Sequence, residues 1–243
     1  MSSLLEQIKG LIERTYDLST GIDDVSDYVI GDTGWKTLYA GTQVAEHVAR
    51  ARVTEIVEIA HTVQSGEGQS ALPATARTLV RQDGGQVRLS LYYPDVLIDH
   101  LEAHPPLRSL SEDNIDAFAT FVEELDHLLH IAHRARQERE ITLLELEWQA
   151  NITKFQVIRH LLARRLAPRP AGREVEQWAR FHLFEKFDYA DGGPEVARRY
   201  RDAVRLAVRT LDKMEALSAR AHLSELRAFA HRSFAEKMRS IER

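Results

Sequence analysis

Cysteine is absent from the 243 residues, which excludes disulfides, thiolate metal sites and cysteine nucleophiles together and suits a reducing cytoplasm. Glycine and proline number only 12 and 7, too few for a loop-rich all-β design. No apolar run approaches the roughly 18 residues that a membrane span requires. The opening MSSLLEQIKGLIERTY lacks the basic and small-residue flanks of a secretory signal. It reads instead as an amphipathic helix with Leu4, Leu5, Ile8, Leu11, Ile12 and Tyr16 on one side. His-Glu-x-x-His, Gly-x-Ser-x-Gly, the phosphate loop and Gly-x-Gly-x-x-Gly are all missing, so the familiar hydrolase, kinase and dinucleotide signatures do not apply. These absences place the chain in the cytoplasm, with no membrane partner.

Hydrophobic residues at 44% and charged residues at 28% are ordinary for a globular chain that buries a sizeable core. The net charge of −5 is unevenly spread. Residues 159–243 carry 19 Lys and Arg against 12 Asp and Glu, whereas residues 1–158 carry 13 against 25. Acidic and basic parts of one fold can face each other; the sharper alternative is a basic surface for nucleic acid or an acidic protein.

The pattern predicts a mainly α protein, a multi-helix bundle with one small β-hairpin at about residues 78–93. Val87, Leu89, Leu91 and Tyr93 alternate with Arg88, Ser90 and Tyr92 after the turn Asp83-Gly84-Gly85. Residues 43–63 read as mostly helical, although IVEIAHTV could also form a strand. Ser111-Glu112-Asp113 opens a helix that runs to about Arg136, and Thr142 with Glu145 forms a capping box for the next one. Pro168, Pro170 and Gly172 mark a linker. Residues 1–167 are expected to form a helical core domain with the hairpin, and 168–243 a C-terminal helical lobe or the continuation of the same domain. That lobe reads as helices over 173–187, 194–217 and 221–242.

Residues 141–162, ITLLELEWQANITKFQVIRHLL, are apolar on two sides. Leu144, Trp148, Ile152, Phe155, Ile158 and Leu162 form one band; Leu143, Leu146, Ala150, Val157 and Leu161 form a second. Glu147, Asn151 and Lys154 fall between the bands, so a central helix must bury and match them. The short link to the preceding helix predicts an antiparallel hairpin. A turn centred near residue 140 sets Asp126 opposite Lys154 and His133 opposite Glu147, with Asn151 able to bridge. Such pairs could fix helix register, or they could form a pocket for acid–base work. Glu147, Lys154, Asp126, His133 and Asn151 are the candidate catalytic residues.

Two Glu-x-x-His pairs, Glu58 with His61 and Glu124 with His127, match the ligand spacing of di-iron bundles. Their direction counts against them: on a helix whose apolar stripe is Phe118, Phe121, Val122, Leu125, Leu128, Leu129 and Ala132, His127 lies about 140° and Glu124 about 80° from the stripe centre. The run His127, His130, His133 invites a zinc reading, but His127 and His130 read as a solvated face, and a single-helix site would need ligands from elsewhere. No cofactor is expected, with a bound metal as the minor alternative. In the C-terminal region Arg198, Arg201, Arg205, Arg209 and Lys213 line one side of a helix and form the candidate partner-binding face.

Three functions follow. The first is a cytoplasmic interaction or regulatory protein that presents helical surfaces to a protein partner or to a second copy of itself. The second is an enzyme, a metal-dependent hydrolase or oxidoreductase, built on the buried Glu/Lys/Asp/His cluster. The third is a nucleic-acid binder using the arginine face.

Overall fold

The computed structural model describes residues 4–35, 56–60, 76–83, 86–166, 173–186 and 193–242. The protein is mainly α with a small sheet. The opening stretch forms α1 (Leu4–Tyr16), burying Ile8, Ile12 and Tyr16 as its periodicity requires. A short 3₁₀ turn leads into β1 (Val29–Ile30). Strands β2 (Ile56–Ala60), β3 (Arg77–Asp83) and β4 (Gln86–Tyr92) complete a sheet of order β1-β4-β3-β2.

The expected hairpin is β3–β4, in register from Arg77 opposite Tyr92 to Asp83 opposite Gln86. The helical expectation for residues 43–63 fails over 56–60, which pair antiparallel with β3; the rest of that stretch lies outside the described residues. Ile56, Val57 and Ile59 supply β-branched side chains, and an open edge on β3 offers the backbone partners that override a weak helical period.

Two long helices dominate the interior: α3 (Ile115–Arg136) follows the short α2 (Asp95–Ala103), and α4 (Leu143–Leu166) returns beside it. The link over 137–142 makes the antiparallel hairpin the sequence predicted. The oily rod also holds, for every residue from Glu145 to Ile158 is buried. What the sequence did not reveal is that α3 is buried almost as completely. The β-hairpin covers one side of it, where Tyr93 donates to the Phe121 carbonyl oxygen at 2.6 Å and stacks on the Phe121 ring.

After residue 172 come α5 (Arg173–Arg180), which ends in a π turn over Phe181–Glu185, then α6 (Gly193–Glu215), α7 (Ala219–His231) and α8 (Phe234–Glu242). Helix α6 lies along α4, with Trp148 donating its indole N–H to Thr210 Oγ1 at 3.1 Å. The single helix expected over 221–242 is two. Ser233 and Glu236 form a capping box, the Ser233 amide donating to Glu236 Oε2 at 2.8 Å, and this restarts the chain as α8 in a new direction. Among the described residues no helix is long and apolar enough to cross a membrane.

Candidate functional site

Helix α3 presents Glu123, Glu124 and His127 within one turn, and α4 presents Glu147, Asn151 and Lys154 along one seam. The two helices meet, but not in the predicted register. Lys154 Nζ pairs with Glu123 at very short range, not with Asp126. Glu147 faces His127, not His133, with Oε2 3.7 Å from Nε2. Asn151 does not bridge the seam; its amide donates to the Glu147 carbonyl oxygen one turn back, at 2.8 Å. The error has a physical source. The seam was oriented by the apolar flank of α3, but a helix buried on every side has no single inward direction for that flank to mark.

The same cause overturns the solvated-face reading. Glu124, His127 and Glu147 have no exposed surface at all, and His130 has almost none. The β-hairpin covers Glu124: the Thr78 hydroxyl sits 2.8 Å from Glu124 Oε2 and 2.9 Å from the Glu124 carbonyl oxygen, donating between them. Glu124 Oε2 also lies 3.6 Å from His127 Nδ1, so that imidazole is held between carboxylates from α3 and α4.

The remaining candidates go elsewhere. Asp126 lies on the opposite flank, its Oδ1 3.1 Å from His130 Nδ1 and its charge acting on Tyr16 of α1. His133 faces the 17–24 segment and α7, with Nδ1 accepting from the Ser19 amide at 3.1 Å and Nε2 3.4 Å from His231. Glu58 is in β2 instead of a helix, and His61 lies outside the described residues. Arg198, Arg201, Arg205, Arg209 and Lys213 are all exposed along α6, as the amphipathic pattern predicted. Glu145 does more than cap. Its amide donates to Thr142 Oγ1, while its carboxylate is buried between Arg134 Nη2 at 2.8 Å and Lys237 Nζ of α8 at 2.9 Å.

The residues the sequence missed are Glu123, Arg199 and Tyr200. Ligand atoms of Glu123, His127 and Glu147 all lie within 4.8 Å of one another, a spacing that one cation could span. Glu123 and His127 are at i and i+4, so both side chains project from one helix face, with Glu124 between them. This is the ligand spacing of His-Glu-x-x-His with a carboxylate for the first imidazole. Searching at i, i+4 as well as i, i+3 exposes it in the sequence. Glu124 Oε1 is buried without a hydrogen bond, although its sister oxygen is held by Thr78. Helix α6 adds Arg199, whose Nε is 4.0 Å from Glu147 Oε1, and the buried Tyr200 beside it.

The electrostatics follow from burial. Desolvation raises the Glu147 carboxyl above its usual range; His127 opposes this, and Glu123 and Glu124 add to it. Glu124 is raised for the same leading reason. Burial pulls the His127 imidazole down, but Glu124, Glu147 and Glu123 together outweigh it and hold it up. The Tyr200 hydroxyl is pushed far up by burial and by the nearby carboxylates. Three carboxylates and an imidazole are thus concentrated in a dry interior, where a positive charge is strongly favoured.

No family model, curated protein or solved structure matches the chain.

Proposed function

We propose that the protein is a metal-dependent enzyme of the hydrolytic class, with Glu123, His127 and Glu147 holding one divalent cation. The observation that carries this reading is the convergence of those three donors, from two helices, within 4.8 Å in a fully buried site. A protein acting only through its surface needs buried charge here only to fix helix register, which the Lys154–Glu123 pair already does, so the enzyme reading stands ahead of the interaction protein. Two carboxylates and one imidazole, with no sulfur, suit Mn²⁺, Fe²⁺ or Zn²⁺.

A bound cation would polarise the substrate and lower the pKa of a water. The chain's own residues do the rest. Lys154 balances Glu123, and Thr78 fixes Glu124 through Oε2. Glu124 Oε1, which has no other hydrogen bond, takes a proton from the attacking water. The water oxygen bonds to the electrophilic carbon or phosphorus of the substrate, the bond to the leaving group breaks, and that group recovers the proton from Glu124.

Elemental analysis and titration calorimetry with Mn²⁺, Fe²⁺ and Zn²⁺ test the site. One ion per chain is expected for the wild type and for Glu124→Gln. A loss of at least tenfold in affinity is expected for Glu147→Gln and for His127→Ala, with circular dichroism confirming that both fold. Wild-type protein that binds none of these ions, or a His127→Ala, Glu147→Gln double variant that binds them normally, would refute the proposal.

A further inference from the structure

Of the described charged residues around the proposed metal centre, Arg199 is the most exposed. Its side chain is 22% exposed, while that of Glu147, 4.0 Å away, is fully buried. The other cation, Lys154, is buried and committed to Glu123 by a short hydrogen bond. The Arg199 Nε makes no hydrogen bond, and at 4.0 Å from Glu147 Oε1 it makes an ion pair without the fork geometry that guanidinium and carboxylate prefer. Arg199 also sits between two different surfaces of α6: the buried Tyr200 on one side and the exposed Arg198 and Arg201 on the other. Its guanidinium carbon lies 5.4 Å from the centre of the Tyr200 ring, within cation–π range, and its side chain hydrogen-bonds Tyr200.

Formal charge points the same way. Glu123, Glu124 and Glu147 are opposed by Lys154 and Arg199. A divalent ion coordinated by a neutral imidazole leaves one positive charge over in a water-poor site. A buried excess charge is costly unless a ligand matches it. We propose that Arg199 is the anion-recognition residue of this centre, and that the substrate carries a carboxylate or phosphate group beside the bond that is cleaved. This inference rests on the metal centre proposed above. With Glu147 committed to the ion, the Arg199 guanidinium, which also bonds Tyr200, would turn its remaining N–H donors to the anionic group, a planar donor fork that lysine cannot offer. Arg198 and Arg201, exposed beside it, draw anions toward the same end of α6.

The test uses full-length protein loaded with Mn²⁺, with inorganic phosphate, acetate and the neutral acetamide as probes in titration calorimetry. Phosphate or acetate is expected to bind the wild type and to lose tenfold or more in affinity for Arg199→Met. Arg199→Lys should recover only part of that loss, and acetamide should not bind. Whichever anion binds more tightly identifies the substrate group. Metal stoichiometry should be unchanged in both variants, and thermal melts should show that they fold. Anion binding that is equal in the wild type and Arg199→Met, anion binding that is absent, or acetamide binding as tight as acetate would overturn the role of Arg199 and leave the metal centre standing. Failure of the wild type to take up Mn²⁺, Fe²⁺ or Zn²⁺ would instead remove the metal centre and this inference with it.

Discussion

Replacing Glu145 by Gln should be strongly destabilising, because it removes one carboxylate from two buried cations. Arg134 Nη2 and Lys237 Nζ lie 2.8 and 2.9 Å from the same Glu145 oxygen, and both cations are almost wholly buried. At an effective dielectric constant of about 20, each such contact is worth about 6 kcal/mol of Coulomb energy. Most of that only offsets desolvation. The two cations then respond differently. Burial, only partly opposed by Glu145, already lowers Lys237 to about 8, so without its carboxylate it sheds its proton near neutral pH. Arg134 cannot do so, and is left with neutral acceptors, the amide oxygen of the new Gln and the carbonyl oxygens of Ala230 at 3.3 Å and Arg232 at 2.6 Å, in place of its buried carboxylate. The net loss should be about 3–5 kcal/mol, as for other buried charges stripped of a partner. Urea unfolding followed by circular dichroism should show it as a lower midpoint with an unchanged slope, and melting should fall by about 10 °C. Arg134→Met in the same chain should recover most of the loss. A loss under about 1 kcal/mol, or strict additivity in the double variant, would refute the buried triad.

The same lysine gives a pH signature. Its folded pKa is below its unfolded one, so the folded state binds fewer protons between about pH 8 and 10.5. Stability from this group therefore rises with pH across that window, by up to about 3 kcal/mol, and the rise should vanish in Lys237→Met. His133 works at the acid end. Burial first, with His231, His130 and Arg134 adding to it, lowers the imidazole to about 4 against the opposing Ser19 contact. Unfolded chains take up that proton first, so stability should fall as pH drops from about 6.5 through 4, by about 1–3 kcal/mol; a His133→Asn variant without that slope confirms the assignment. Ser233→Ala should cost about 1 kcal/mol, with faster amide exchange confined to the first turn of α8.

Much of the scaffold was legible from local signals. The alternation of Leu89, Leu91 and Tyr93 marked the hairpin, the two apolar bands of α4 marked a central rod, and the brief link after Arg136 joined it to α3. Burial of Glu147, Asn151 and Lys154 followed from those bands. Their partners did not, because pairing depends on how α3 is rotated, and rotation is read from a contrast between wet and dry faces that α3 lacks. The β-hairpin removes that contrast by covering Glu124, an event remote in sequence. Strand β2 was ambiguous because its edge partner lies far along the chain, in β3. Ser233 and Glu236 were readable as a cap but sit inside an apolar period that continues through them.

The change of direction at Ser233 has a consequence for how the molecule is made. It places Lys237 at the connecting end of the α3–α4 hairpin, near Arg134 and beside a glutamate synthesised long before it. A nascent chain emerging from the ribosome therefore lacks the helix that packs on the buried Glu145–Arg134 pair until α8 arrives. Folding of the central pair is expected to finish only once α8 has emerged, and ribosome-stalled chains ending before α8 should be cut by protease within α3 and α4, where finished protein resists.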